Sequence, residues 1–363
     1  MSPSLRPAPL GSPRRRSAGT RTLRAATTVV AALGLAASLA ACGDSGSSGT
    51  KAPAATGSAA AATCDPVSGD QLVVLTDDKH LQTVDNIIPA LNAKAVEGDE
   101  ALVPLLDAVS ASFTTDDLIA MNKAVDVDRQ KSIVVAKQFF DDHGLAAQDS
   151  GVGTGKKVVI GAANFSENQT LAYLYQDVLV SAGYTVTVKT VGNRELYLQQ
   201  LEKGDLTMVP EYTGTLTEFL NQKINGSDAE PKASSDLNAT VTALTDLGKQ
   251  VGLTFGKPAQ GADQNAFAVT NTFADQHQVK TLSDLASKCG NLALGGPPEC
   301  TERPFCQPGL EKTYGLTFSK FTSLDAGGPL TKTAILKGRV AIGLVFSSDG
   351  QLGGSDPTAT STS

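Results

Sequence analysis

Five cysteines and three histidines are the residues of this chain whose chemistry depends most on spacing. Cys42 follows Leu39-Ala40-Ala41 and precedes Gly43 at the end of an apolar run, the lipobox pattern in which a thiol accepts lipid after signal cleavage. Cys64, Cys289, Cys300 and Cys306 remain for an oxidising compartment, where four cysteines allow three pairings. The short separation of Cys300 and Cys306 favours a local clip, which leaves Cys64 for Cys289. Zinc is the competing use, but the spacing lacks a CxxC pair, and His80, His143 and His277 stand singly. No metal and no cofactor is expected.

Nucleophilic catalysis needs a base set beside the nucleophile. The chain has no GxSxG elbow, no HExxH and no histidine beside a candidate serine, so no catalytic residue is nominated and no enzyme is expected. Gly151, Gly153, Gly155 and Lys156 imitate a phosphate-binding loop. However, Ser150 stands where its first glycine belongs, and Lys157 where a Ser or Thr would ligate magnesium. The segment also follows a helix and opens a strand, the reverse of the required order. It reads as a spacer.

The first 41 residues hold six arginines and no acid, with Arg14, Arg15 and Arg16 in a row ahead of the apolar run from Ala25 to Ala41. That run is shorter than the ~20 residues a membrane span needs and reads as a secretory signal. The expected product is a lipoprotein on the outer face of the cell membrane, held there by lipid alone through a Gly/Ser/Ala/Thr stalk. Without the leader, 24 basic residues face 37 acidic ones and the net charge is −13. Such a charge argues against a nucleic-acid partner.

Periodicity sets the elements that must position any site. QLVVL at 71–75 reads as a buried strand, followed by helices over 100–112, 115–124 and 129–143. Thr114 or Thr115 caps the second of these and Gly144 closes the third. Beyond the polar, glycine-rich linker at 146–157 comes strand 157–162, helix 167–182, strand 185–190, helix 194–203 and a strand ending near Pro210. Helix 236–251, an apolar run at 266–270, a helix from Ser283, strand 292–294, helices near 309–314 and over 331–337, and strand 340–346 complete the pattern. This alternation predicts an α/β protein with parallel sheets. The polar tail 353–363 reads as disordered.

Three stretches carry a family likeness: IGAANFSENQTLAYLYQDVLVSAGY (160–184), GNRELYLQQLEKGDLTMVPEYTGTL (192–216), and LGGPPECTERPFCQPGLEKTYGL (294–316) followed by LKGRVAIGLVFSSDG (336–350). They resemble the substrate-binding proteins of glycine betaine, carnitine and choline importers. PEYTGT at 210–215, ERP at 302–304 and SSDG at 347–350 stand in the family's order and spacing, and the likeness runs from Asp70 to Leu352. The resemblance implies a type II periplasmic-binding-protein fold, in which two α/β lobes joined by crossing strands close on a ligand in the cleft. It also implies a small-molecule solute as ligand, and the permease and ATPase subunits of an ABC importer as partners.

The order of the pieces departs from the family. LVVLTDDK at 72–79 and the helices up to HGL at 143–145 look like what the family carries at its C-terminal end. The resemblance therefore implies a circular permutation, with the linker joining the family's old termini and new ones opening between Leu352 and Gln71. An unrelated extra domain over 65–145 is the alternative, but strand 340–346 would then lack the return crossing that completes the first lobe. The expected organisation is signal peptide 1–41, lipid-anchored stalk 42–64, displaced segment 65–145 (strand to lobe II, helices to lobe I), linker 146–157, lobe I 158–260, lobe II 261–352 and tail 353–363.

In that family, aromatic rings box a trimethylammonium group while basic or hydroxyl groups bind a carboxylate. Ring faces attract such a cation, which has no hydrogen to donate, by roughly 0.5–2 kcal/mol each. Position by position, the resemblance makes Tyr212, Thr215 and Arg303 ligand-binding candidates, Arg303 as the carboxylate-binding arginine, together with Phe346 as a second ring and Asn164 in the NFSE run. Asp85 and Asn265 stand where the family has tyrosines, and Ala163 where it has a polar or basic residue. Two rings and two added acceptors predict weak glycine betaine binding and a better fit to a solute with N–H or hydroxyl groups. Without the resemblance, Tyr212 reads as a core residue, Asp85 as a helix cap and Arg303 as a surface ion pair. A sensing lipoprotein using the same cleft is the runner-up to transport.

Overall fold

The computed structural model describes residues 62–352, so the signal peptide, Cys42, nearly all of the expected stalk and the tail lie outside the described residues. Two five-stranded sheets organise the chain. The first has the order β5-β4-β6-β3-β7 and comprises β3 (Ile87–Asn92), β4 (Lys157–Ala163), β5 (Thr185–Gly192), β6 (Met208–Tyr212) and β7 (Leu253–Phe255). The second, ordered β11-β10-β12-β8-β2, comprises β2 (Leu72–Leu75), β8 (Asn265–Thr270), β10 (Leu292–Gly296), β11 (Phe318–Ser323) and β12 (Ile342–Phe346). Both sheets are mixed, which corrects the parallel sheets expected from the alternation. β3 runs antiparallel to β6 and β7, and β8 runs antiparallel to β12 and β2.

Successive strand residues point to opposite faces, and the two apolar faces of the first sheet are covered separately. Ile87 and Leu91 of β3 join the core made with α1 (Leu102–Ser110), α2 (Thr115–Asp126), α3 (Ser132–Asp142) and α4 (Ser166–Ser181). Ile88 and Ala90 point to the core made with α5 (Arg194–Lys203), α6 (Thr213–Asn225) and α7 (Leu237–Gln250). In the second sheet, Phe267 and Val269 of β8 face Phe273 of α8 (Asn271–His277) and Leu282 and Leu285 of α9 (Leu282–Lys288). Ala266 and Ala268 face Ala334 and Ile335 of the helix Pro329–Leu336. No helix among the described residues is long and apolar enough to cross a membrane.

β3 is absent from the periodicity reading, because Pro89 argues against an interior strand. Asn92 N donates to Thr207 O and Thr213 N to Asn86 O, both at 3.0 Å, so the bonded rungs fall on even-numbered β3 residues. Pro89 faces Pro210 on an intervening rung, where neither nitrogen is required across the pair. α6, α8 and β11 are also additional. The polar residues of TGTLTEFLNQKIN hide the core positions Leu216 and Leu220 of α6. The third helix starts at Ser132, not Arg129, whose φ of 61° breaks the helical run.

The expected stalk overruns by its last three residues. Ala62–Thr63 forms β1, which pairs with β9 (Cys289–Gly290), and Cys64 is buried. Both disulfides expected from the spacing, Cys64–Cys289 and Cys300–Cys306, are present. The glycine-rich stretch that imitates a phosphate loop is a packed turn. Gly153 N bonds Ala182 O at 2.9 Å, any side chain at Gly153 would strike the Tyr184 ring, and Lys156 pairs with Asp99 at 2.6 Å.

Candidate functional site

The chain passes between the two sheets twice, at 82–86 on the way from β2 to β3 and at 259–264 from β7 to β8. The passages lie side by side: Asn86 bridges Ala262, Asp263 N donates to Asp85 O at 3.0 Å, and Gln264 Nε2 donates to Thr83 O at 2.6 Å. Beside them, residues of both sheets enclose a cavity of about 500 Å³. All seven ligand-binding candidates, Tyr212, Thr215, Arg303, Phe346, Asp85, Asn265 and Asn164, line it.

Three rings stand in series on one wall. Tyr212 ends β6, and its hydroxyl donates to Glu167 Oε1 at 2.8 Å, which fixes the ring. Burial, and then the neighbouring Glu167, raise the pKa of this phenol, so it stays protonated. Phe346 ends β12, opposite Asn265 in the β8 register. Phe165 lies 6.2 Å from the Tyr212 ring and 5.8 Å from the Phe346 ring, centroid to centroid. Phe165 therefore adds a third ring to the two expected. The signal was its position beside Asn164 in NFSE. Phe219 and Phe305 also line the cavity.

Asp85 is a helix cap, though not of its own segment. Its Oδ1 accepts from Gly214 N at 2.8 Å and Thr215 N at 3.0 Å, the first turn of α6, where unpaired amides and the helix dipole favour an acid. Burial pushes its pKa up to about 7, against the lowering effect of the Thr215 and Gly214 amides and the Arg194 charge. Thr215 is not a free donor. Its hydroxyl accepts from Arg194 Nη2 at 2.8 Å and points to Asp85 Oδ1 at 3.5 Å. Arg194 itself is buried and bidentate on Glu211, at 2.9 and 2.7 Å, and Tyr197 OH adds a third bond to that carboxylate at 2.8 Å. None of Arg194, Glu211 and Tyr197 was nominated, because the pair forms across 17 residues, from α5 to β6.

Arg303 sits on the loop clipped by Cys300–Cys306 and meets Glu195 of α5 at 3.1–3.2 Å and Glu299 at 3.6 Å. Burial acts to raise the Glu195 carboxyl, but the Arg303 guanidinium outweighs it and holds the pKa below the usual range. Asn265, expected as an acceptor, donates its amide to Phe305 O at 3.1 Å and leaves its side-chain carbonyl as the acceptor.

Behind the rings lies a buried acid network that motif reading did not find. Glu167 Oε2 accepts from Asn122 Nδ2 and Ser348 Oγ, both at 2.6 Å, while Ser348 N donates to Asp263 Oδ1 at 3.0 Å. Burial first, and then the charge of Glu167, raise Asp263; burial also raises Glu167, opposed by its bonds to Ser348, Asn122 and Tyr212. The cavity lining holds six carboxyl groups, on Asp85, Glu195, Asp263, Glu299, Glu302 and Asp325, against the two guanidiniums of Arg194 and Arg303, and burial favours the neutral form at Asp85 and Asp263 among those six. Rings with an excess of acids favour a positively charged guest.

The family model described as the substrate binding domain of ABC-type glycine betaine transport systems, OpuAC, matches residues 56–142 and 156–357. The glycine-betaine-binding protein of Pseudomonas aeruginosa is 28% identical over 214 residues, and the match spans 56% of this chain and 66% of that relative's length. A crystal structure titled as a glycine betaine/carnitine/choline ABC transporter is 23% identical, with a TM-score of 0.35 over 56% of this chain and 72% of the other.

Proposed function

The chain belongs to the OpuAC family of substrate-binding domains of ABC-type glycine betaine transport systems, a solute-binding family and not an enzymatic one, and from that membership we propose that it is the extracytoplasmic, lipid-anchored solute-binding subunit of an ABC importer. The observation that carries the reading is the cavity, in which Phe165, Tyr212 and Phe346 adjoin a surplus of carboxylates between two sheets linked by two crossing segments. Its solute is a small cation or zwitterion of the betaine and choline class, held by closure of two lobes, and the closed form docks on the permease. Cys42 carries the lipid.

The lobes are the bodies around the two sheets, and their order is a circular permutation of the family's. Two facts support this. β2 adds to the second sheet beside β8, while β3 and the helices α1 to α3 build the first. The family match also breaks at 143–155, within the packed turn.

A solute with N–H groups is the second reading, favoured by the Asn265 side-chain carbonyl and by the carboxyls of Asp85 and Asp263 at the cavity. Calorimetry with choline, glycine betaine, polyamines and imidazoles tests both. Binding of any of these that is lost in Tyr212→Ala supports a solute-binding cleft. Silence toward all of them refutes it.

A further inference from the structure

Among the described residues, the cavity lining offers two cations to a solute's carboxylate, and one of them is closed off. Arg194 is 6% exposed, and its Nε and Nη2 are engaged on Glu211 and Thr215. Arg303 keeps 29% of its side chain exposed and is the guanidinium a solute can reach. A guanidinium recognises carboxylates through paired N–H groups. Yet Nε and Nη2 of Arg303 already lie 3.1–3.2 Å from the carboxylate of Glu195. Those two nitrogens form one edge of the fork, so a bound zwitterion must compete with Glu195 for that edge or take the remaining one beside the Glu195 charge.

The pair also spans the cavity. Glu195 stands in the first turn of α5, which packs on the first sheet, whereas Arg303 belongs to the disulfide-clipped loop that follows β10 of the second. We infer that Glu195 is a resident carboxylate that occupies Arg303 in place of a solute's, and that it thereby sets the specificity of the site toward cations lacking a carboxylate and against zwitterions. The inference rests on the solute-binding reading of the cavity. Charge points the same way. A carboxylate arriving at Arg303 meets Glu195 and Glu299, both within 3.6 Å of the guanidinium, and is repelled by both. An incoming ammonium meets no such repulsion, because the carboxyl groups of Glu299, Glu302 and Asp325 line the same cavity.

Choline and glycine betaine share a trimethylammonium head and differ at the carboxylate, so their affinity ratio isolates this effect. Titration calorimetry on the purified wild-type chain should show choline as the tighter ligand. In Glu195→Gln the ratio of betaine to choline affinity should rise by at least about tenfold, the scale of one charge-assisted hydrogen bond. Glu195→Ala should show the same rise, which guards against a fault peculiar to one variant. Adding Arg303→Gln to Glu195→Gln should remove the gain. A ratio unchanged in both single variants, with both solutes still binding, overturns the inference and leaves the solute-binding reading intact. So does a gain that survives loss of Arg303. Failure of the wild type to bind either solute, or any other quaternary ammonium such as carnitine, overturns the reading and the inference together.

Discussion

Asp85 Oδ1 accepts the backbone N–H of Thr215 at 3.0 Å, so a residue of one crossing segment caps the first turn of a helix at a position 130 residues later. The cap joins the crossing to the first turn of α6, and its removal leaves the Gly214 and Thr215 amides without that partner. Loss of a capping acid typically costs about 0.5–2 kcal/mol. Asp85→Ala should lower unfolding stability by that amount at pH 5 in denaturant titrations, whereas Asp85→Asn, which retains an acceptor oxygen, should lose less. Equal losses in the two variants would argue against a capping role.

Asp85 also makes a pH prediction. Its pKa is raised by burial from the ordinary aspartate value of 3.8 to about 7, so the folded chain binds this proton more tightly than the unfolded chain. Stability contributed by the neutral carboxyl is fully present below the unfolded value and falls as pH rises toward the folded one. Relative to Asp85→Asn, the wild type should therefore lose stability between about pH 4 and pH 7, and the difference should level off above that window. Melting temperatures of the two proteins across pH 4 to 8 decide it, and a constant offset throughout would refute the assignment.

Phe165 should matter to ligand binding as much as Tyr212 does. Its ring is next to both other rings, and one ring face is worth roughly 0.5–2 kcal/mol toward a quaternary ammonium. Phe165→Ala should weaken choline binding by about 2- to 30-fold in calorimetry. Phe165→Leu keeps the apolar volume but not the π face and should recover little of the loss. Recovery with Leu would mean that the ring packs and does not recognise charge.

These positions also show what was legible in the sequence. Tyr212, Thr215, Arg303 and Phe346 were nominated through the family resemblance, whose short motifs survive in a linear reading, and all four line the cavity. The partners were hidden because they are remote in sequence: Glu195 is 108 positions from Arg303, and Ser348 is 181 from Glu167. Asp85 was read as an acceptor for solute, and its role in α6 could not appear while α6 itself was masked by its threonines. β3 stayed hidden for a different reason. A proline within this strand is tolerated because it meets Pro210 on a rung that needs neither nitrogen and, on its other side, lies past the end of the β7 ladder, and such register is a tertiary fact.

The two disulfides should differ in what they contribute. In the chain-entropy picture a cross-link stabilises by shrinking the unfolded ensemble, and the gain grows with the logarithm of the loop it closes. Cys300–Cys306 closes a separation of 6, worth about 2 kcal/mol, and Cys64–Cys289 closes one of 225, worth about 5 kcal/mol. The short clip nevertheless has the larger effect on the cavity, since Arg303 lies inside it and Cys300 and Cys306 both line the wall. Replacing Cys300 and Cys306 with serine should therefore lower the denaturant midpoint modestly and disturb choline binding. Replacing Cys64 and Cys289 should lower the midpoint more while leaving binding closer to wild type, because that bridge fastens β1 to β9, and neither cysteine lines the cavity. Paired unfolding curves and titrations on the two serine variants would separate the effects. A reversal, with the long bridge governing affinity and the short one governing stability, would show that the Arg303 loop is held by packing and not by its clip.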